Sequence, residues 1–357
     1  MPRAVTQKSD NTPTGEAGSG ERIFTALEIC AGGGGQALGL EQAGFLHAGV
    51  AEIDESACAT LLHNRPDWNV LPMDIRALQG KLYRGIDLLA GGVPCPPFSI
   101  AGKQLGHKDE RDLFPEALRL VEEAQPKAVM LENVKGFSSE KFADYRERLK
   151  SSLNELGYAV EWRVLNASDY GVPQLRPRFV LVALRRRVAK LFRWPEPVGA
   201  PPTVADTIGE LIAARGWPGA QAWREKAQEI APTLVGGSKK HGGPDLGPTR
   251  AKQKWLELGV DAMGVANEPP GPDHPIEKPP RLTVQMVARL QGFPADWQFV
   301  GGKTAAYRQV GNAFPPPVAG AVAKAIITAL KSEQLKIPLE DATKQQLMLL
   351  DARRKTA

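Results

Sequence analysis

"LEICAGGGGQALGLEQAGF", residues 27–45, passes from an apolar β-like segment through four glycines into a helical pattern. Glycines at such a junction let the backbone approach a ligand closely, and the helix that follows presents an N-terminus favouring negative or polar groups. Gly32, Gly34 and Ala37 fit the spacing G-x-G-x-x-[GA]. Glu52 follows about twenty residues on, at the end of the next β-like run, where a carboxylate can accept both hydroxyls of a ribose. By itself the stretch fits NAD, another adenosine cofactor, or simply a tight strand–helix turn.

The surroundings decide the fold class. Candidate strands "IFTALEI" (23–29), "HAGVAE" (47–52), "DLLAGG" (87–92), "KAVMLEN" (127–133) and "RFVLVAL" (178–184) alternate with amphipathic segments such as "FPEALRLVEEA" (114–124) and "ADYRERLKSSLNELG" (143–157). Strand–helix alternation of this kind predicts an α/β fold with a doubly wound, mainly parallel sheet. Residues 195–280 break the pattern: they are rich in Pro and Gly, weakly periodic, and carry Trp217, Trp223 and Trp255. They read as a second, smaller, irregular module. Helical patterns return in "LTVQMVARLQGFP" (282–294) and in "PPVAGAVAKAIITALK" (316–331), whose prolines suit a helix start.

Composition bounds the function classes. The chain has 357 residues, 42% hydrophobic and 24% charged, ordinary values for a globular protein with a sizeable core. No run approaches ~20 uninterrupted apolar residues, which argues against a membrane span. The first 20 residues are polar and Gly/Ser/Thr-rich, which reads as a disordered tail rather than a secretory signal. Cys30, Cys58 and Cys95 are odd in number, far apart and without a CxxC pair, so neither a disulfide framework nor a zinc site is expected, and a reducing cytoplasm is the simplest compartment. A net charge of +5 permits a polyanionic partner without demanding one.

Several further motifs fall at predicted strand ends. "GGVPCPPFS" (91–99) sets Cys95 among prolines directly after a strand, where open α/β sheets bind ligands. A thiol displayed there is a poor packing residue and a good candidate nucleophile once deprotonated. "ENV" (132–134) brings Glu132 to the same edge, so a nucleophile and a proton donor converge. "MDI" (73–75) adds Asp74, an acid able to accept a hydrogen bond from an adenine amino group, or an ordinary loop acid. "QLRPRF" (174–179) alternates Gln174, Arg176 and Arg178 on one strand face, which suits an anionic or carbonyl-bearing ligand or a surface ion pair.

Taken in order, "LEICAGGGGQALG", "GGVPCPPFS", "ENV", "QLRPR", "RLTVQMVARLQGFP" and "YRQVGNAFPPPVA" resemble the motif series of DNA (cytosine-5) methyltransferases over about residues 23–330. The resemblance implies S-adenosylmethionine as cofactor, a flipped-out cytosine in a short double-stranded DNA site as substrate, and no metal. It implies that Cys95 adds to C6 of the ring, that Glu132 holds and protonates N3, and that Arg178, with Arg176 close by, holds the cytosine carbonyl. The cofactor cleft it implies comprises Cys30, Ala31, Gly32, Gly33, Gly35, Glu52, Ile53, Asp74, Ile75, Gly92, Pro94, Leu113 and Asn312. The class I methyltransferase (Rossmann-like) domain it implies is discontinuous, 21–189 plus 305–335, with a target-recognition domain at 190–304 and a charged C-terminal tail at 336–357.

The chain departs from the family pattern at three points: Cys30 replaces a customary Phe, Ala313 a common Ser, and Pro177 a frequent Glu between the arginines. The resemblance further implies a monomeric cytoplasmic enzyme and, if an endonuclease gene lies alongside, a cognate restriction endonuclease as functional partner. A tRNA cytosine-5 methyltransferase of the same architecture is the alternative. A nicotinamide-dependent oxidoreductase would leave the Pro-Cys loop, Glu132 and "QVGN" unexplained, and a non-catalytic DNA-binding regulator would not need the thiol and the acid.

Overall fold

A computed structural model describes residues 23–94, 112–237 and 244–335. Its strands are β1 Phe24–Ile29, β2 Phe45–Glu52, β3 Val70–Pro72, β4 Leu88–Gly92, β5 Ala128–Val134, β6 Tyr158–Asn166 and β7 Pro177–Arg185. They make one seven-stranded sheet in the order β3-β2-β1-β4-β5-β7-β6. β3, β2, β1, β4 and β5 are parallel, and β7 runs against both β5 and β6. β1, β4 and β5 are almost continuous buried apolar runs, as strands covered on both faces must be. The doubly wound, mainly parallel sheet expected from the alternation is therefore present.

The helices are α1 Gly35–Ala43, α2 Glu55–Asn64, α3 Phe114–Ala124, α4 Ala143–Glu155, α5 Arg186–Ala189, α6 Val204–Ala213, α7 Ala220–Lys226, α8 Thr249–Glu257, α9 Val284–Leu290, α10 Lys303–Asn312 and α11 Pro316–Leu335. On one face of the sheet α3 buries Phe114, Ala117, Leu120, Val121 and Ala124, spaced three or four apart, against Leu27, Ile29 and Leu131. Truncating one such residue, Leu120 to Ala, removes about 2–5 kcal/mol. On the other face α1 and α11 cover Phe24, Phe45, Met130 and Val182. They meet backbone to backbone: a Cβ on Gly39 would lie 2.6 Å from Pro316 O and 2.8 Å from Gly320 N. This close packing returns the C-terminal part of the chain to the first βα unit.

Two expectations need correction. β6 was not foreseen, because Glu161, Trp162 and Arg163 are exposed on an edge strand and break the apolar alternation. The "irregular" module carries α6, α7 and α8, short helices held by a core of Trp217, Trp223 and Trp255 with Ile208, Ile212 and Leu282. That apolar cluster continues through Tyr307 and Val310 of α10 to Leu38 of α1. The expected division at 304/305 falls within the first turn of α10. The expected tails, 1–20 and 336–357, lie outside the described residues.

Candidate active site

Strand order reverses between β1 and β4, and the crevice above the carboxyl ends of these strands is where open α/β sheets take ligands. The chain leaves β1 through Cys30–Gly34 in a tight turn. Gly34 caps α1 at φ +88°, a left-handed conformation natural to glycine. Cys30, with φ +53°, adopts the same region at a cost of about 1–2 kcal/mol. Its thiol is pushed up by burial, then by the charges of Glu52 and Asp74, so it stays protonated and is no nucleophile.

Glu52 ends β2 and is locked by backbone donors. Its Oε2 accepts the Gly32 N–H at 2.6 Å, and its Oε1 accepts the Ile53 and Asp54 N–H groups, each at 2.8 Å. A carboxylate has about four acceptor sites, so capacity remains for a ligand hydroxyl. At the end of β5, Glu132 is buried and paired with Arg178, whose Nε donates to Oε1 at 2.9 Å. Burial raises the Glu132 carboxyl above its ordinary range, while Arg178 and then Arg176 draw it back. The neighbouring strand leaves room for it: a Cβ on Gly92 would lie 3.3 Å from Glu132 Oε2.

These residues share one cleft of about 210 Å³, lined by Cys30, Ala31, Gly32, Gly33, Glu52, Gly92, Glu132 and Asn312 among the expected residues. Its walls also hold Glu28, Gln36 and Gln309, which sequence reasoning missed. Both carboxylate oxygens of Glu28, both amide atoms of Gln36 and the Oε1 of Gln309 are buried without a hydrogen bond. Burial holds the Glu28 carboxyl well above the ordinary range, outweighing the pull of the Ala37 N–H in the first turn of α1. The signal was available: an acid inside the apolar strand "FTALEI" and an amide at the start of a buried helix both ask for a polar partner.

Other expected residues lie elsewhere. Gly35, Ile53, Asp74, Ile75, Pro94 and Leu113 do not line this cavity. Ile75 is buried in the sheet core and Leu113 packs against it, whereas Ile53 stands 67% exposed at the end of β2. Asp74 caps the turn Ile75–Ala77 and pairs with Arg76 at 2.7 Å, so its carboxylate is engaged. Cys95 lies outside the described residues.

Arg176 requires correction. It lies just before β7 rather than on the strand with Arg178, and it points into the protein. It donates to the carbonyls of Leu234 (2.6 Å), Gly311 (2.7 Å) and Ala313 (3.0 Å) and to Gln174 Oε1 (3.3 Å). A guanidinium so enclosed positions backbone and does not reach a base.

Comparison with known proteins follows the same lines. The family model for C-5 cytosine-specific DNA methylases matches residues 24–328. Type II methyltransferase M.NaeI of Lentzea aerocolonigenes is 58% identical over 311 residues, covering 86% of this chain and 75% of that protein. Type II methyltransferase M.NgoMIV of Neisseria gonorrhoeae is 54% identical over 314 residues, covering 87% and 99%. Among solved structures, a putative prophage-encoded DNA modification methyltransferase from E. coli superposes with a TM-score of 0.60 at 22% identity, over 86% of this chain and 99% of that one. The fold is the same.

Proposed function

This chain belongs to the C-5 cytosine-specific DNA methylase family and is a DNA (cytosine-5) methyltransferase, and from that premise we propose that its cleft takes S-adenosylmethionine and that it is the modification enzyme of a restriction–modification pair. The relatives' designation as Type II methyltransferases supports the second part. The family model and the Type II methyltransferase relatives do not favour the tRNA alternative.

The cleft's chemistry suits the cofactor. Glu28 and Glu52 offer acidic oxygens to a cationic ligand and its ribose hydroxyls. The unpartnered buried atoms of Glu28 and Gln36 are the kind of polar groups a ligand satisfies. The N-terminus of α1 and Asn312 supply donors for a carboxylate. When bound, S-adenosylmethionine supplies an electrophilic methyl group.

The chain's residues prepare the acceptor. C5 of cytosine is a poor nucleophile until a covalent bond at C6 pushes electron density towards it. Cys95 makes that bond in this reading, once the base has left the duplex stack. Burial raises the Glu132 carboxyl and so favours its taking up a proton, which lets it donate to N3 and neutralise the charge that the addition creates. Arg178 fixes the orientation of that carboxyl through its Nε, gives Nη1 to Pro177 O at 3.0 Å, and has Nη2 for the cytosine carbonyl. Residues 190–304, trimmed to about 302 by the start of α10, contact the DNA, and the enzyme acts as a cytoplasmic monomer.

The observation that carries this reading is the desolvated Glu132, paired with Arg178, lining the same cleft as the glycine turn. The test is transfer of label from S-adenosylmethionine to DNA and to tRNA, followed by base-resolution mapping of 5-methylcytosine. Label in a short repeated DNA site is expected; label on tRNA alone overturns the reading. On 5-fluorocytosine DNA the wild type should form a stable covalent complex and Cys95→Ala none. A trapped alanine variant removes Cys95 from the mechanism.

A further inference from the structure

Glu28 is an acid that the fold leaves unused. It stands in β1 beside Val50 of β2 and Ala90 of β4, on the strand face it shares with Phe24 and Ala26, which α1 and α11 cover. It is fully buried, yet it lines the cleft. Neither carboxylate oxygen has a hydrogen-bond partner beyond the approach of the Ala37 N–H of α1. Gln36, at the start of the same helix, is buried with both amide atoms unpartnered and lines the cleft as well. Two such side chains on one cavity ask for a ligand.

The ionisable groups around Glu28 give it no counter-ion. Cys30 just past β1, Glu52 and Asp54 at the end of β2, Glu132 of β5 and Arg308 of α10 line the same cleft. Arg308 makes no bond to either Glu28 oxygen. His47 of β2 meets Ala37 O through its Nε2 at 3.0 Å, and burial favours its neutral ring. Glu41 of α1 is bonded to Arg65 and Trp68. β4 and residues 316–323 of α11 carry no ionisable side chain. Buried and facing the charge of Glu52, Glu28 keeps its proton well above the ordinary carboxylate range. The amino-acid end of S-adenosylmethionine carries a carboxylate and an ammonium on one carbon. The N-terminus of α1 suits the carboxylate, and Glu28, beside the first turn of that helix, is then placed for the ammonium.

We propose that Glu28 exchanges a proton for the cofactor's ammonium: in the free enzyme it is the neutral acid, and on binding it gives its proton to solvent and becomes the counter-ion. The inference rests on the functional reading above. The O–H bond of Glu28 is the one covalent bond that breaks, and the proton goes to water or buffer. The acid is neutral before the exchange and the carboxylate–ammonium pair is neutral after it, so no unpaired charge is buried at either stage. Because binding releases a proton, affinity for the cofactor rises with pH up to the value at which Glu28 titrates in the free enzyme, and is level above it.

The experiment counts protons. S-adenosylhomocysteine, which carries the ammonium but no sulfonium, is titrated into the full chain by calorimetry in two buffers of different ionisation enthalpy. The work is done at about pH 6, below an α-ammonium's own range near 8. The wild type should release about half to one proton per ligand, and its Kd should fall by up to about tenfold per pH unit towards neutrality. 5′-Methylthioadenosine, which lacks the amino-acid end, should release none. Glu28→Gln should still bind S-adenosylhomocysteine, release fewer than about 0.2 protons and lose the pH dependence of Kd. Glu132→Gln should keep the release, which separates Glu28 from the other buried acid of the cleft. Should Glu28→Gln fail to fold, the other three measurements decide. Binding without release, release by methylthioadenosine, release that Glu28→Gln retains, or release that Glu132→Gln loses overturns the inference while methyl transfer stands. A wild type that methylates no DNA and binds no S-adenosylhomocysteine overturns both.

Discussion

Two buried polar clusters both involve α10 and differ in one respect. At the start of β7, Gln174, Arg176 and Gln291 meet a ring of carbonyls from Leu234, Leu290, Val310, Gly311 and Ala313, and only Arg176 Nε lacks a partner. In the cleft, Gln36 is equally buried without a hydrogen bond, and Glu28 has no more than the approach of the Ala37 N–H. A closed network adds rigidity and specifies one arrangement, whereas an open one costs stability unless a ligand completes it. The molecule thus separates its scaffold from its site by whether buried polarity is satisfied within the chain.

The largest effect should come from the edge of the open cluster. Glu132→Gln keeps the size and hydrogen-bonding reach of the side chain but cannot cycle a proton. Single-turnover methylation is expected to slow by about 10²–10⁴, with duplex binding retained. Near-normal turnover would remove Glu132 from the chemistry and blur the distinction between the clusters. Next, Arg176→Ala opens the closed network and strands three buried carbonyls. Urea unfolding should show a loss of about 3–5 kcal/mol. A loss below about 1 kcal/mol would mean that the network is not the scaffold.

The smallest effect sharpens the comparison through pH. Glu28 titrates well above its reference value of 4.5 in the folded protein, chiefly because it is desolvated. Between the ordinary and the raised value the folded state binds more protons than the unfolded state, so stability falls as pH rises through that window. The cost is about 1.4 kcal/mol for each pH unit by which the group is raised. Thermal unfolding of Glu28→Gln should lack this slope, and the slope should be present in the wild type. Identical pH profiles would show that Glu28 finds a partner in the folded chain.

Much of this was legible in the residues. The glycine turn, the acids at strand ends and the alternation of runs follow from local spacing, and they put Gly32, Glu52, Gly92 and Glu132 in one cleft. What escaped depends on distant contacts. Arg176 and Arg178 look equivalent on one strand face, and only carbonyls 58 and 135 residues away distinguish them. β6 was hidden because an edge strand tolerates exposed charge, which erases the apolar alternation. α6, α7 and α8 were hidden because each is short and its apolar residues acquire meaning only around the shared tryptophans. Glu28 is the residue that closer reading could have found.

The return of α10 and α11 to the first βα unit also orders events in time. A ribosome delivers the glycine turn early and Asn312, Ala313 and Phe314, which close the cleft's wall, only near the end. At roughly 5–20 residues per second, that interval is on the order of a quarter of a minute to a minute. Through it, the cleft lacks the wall that Asn312, Ala313 and Phe314 supply. A chain truncated before α10 keeps Glu132 and Arg178 but has the cleft open on the side that the last helices close.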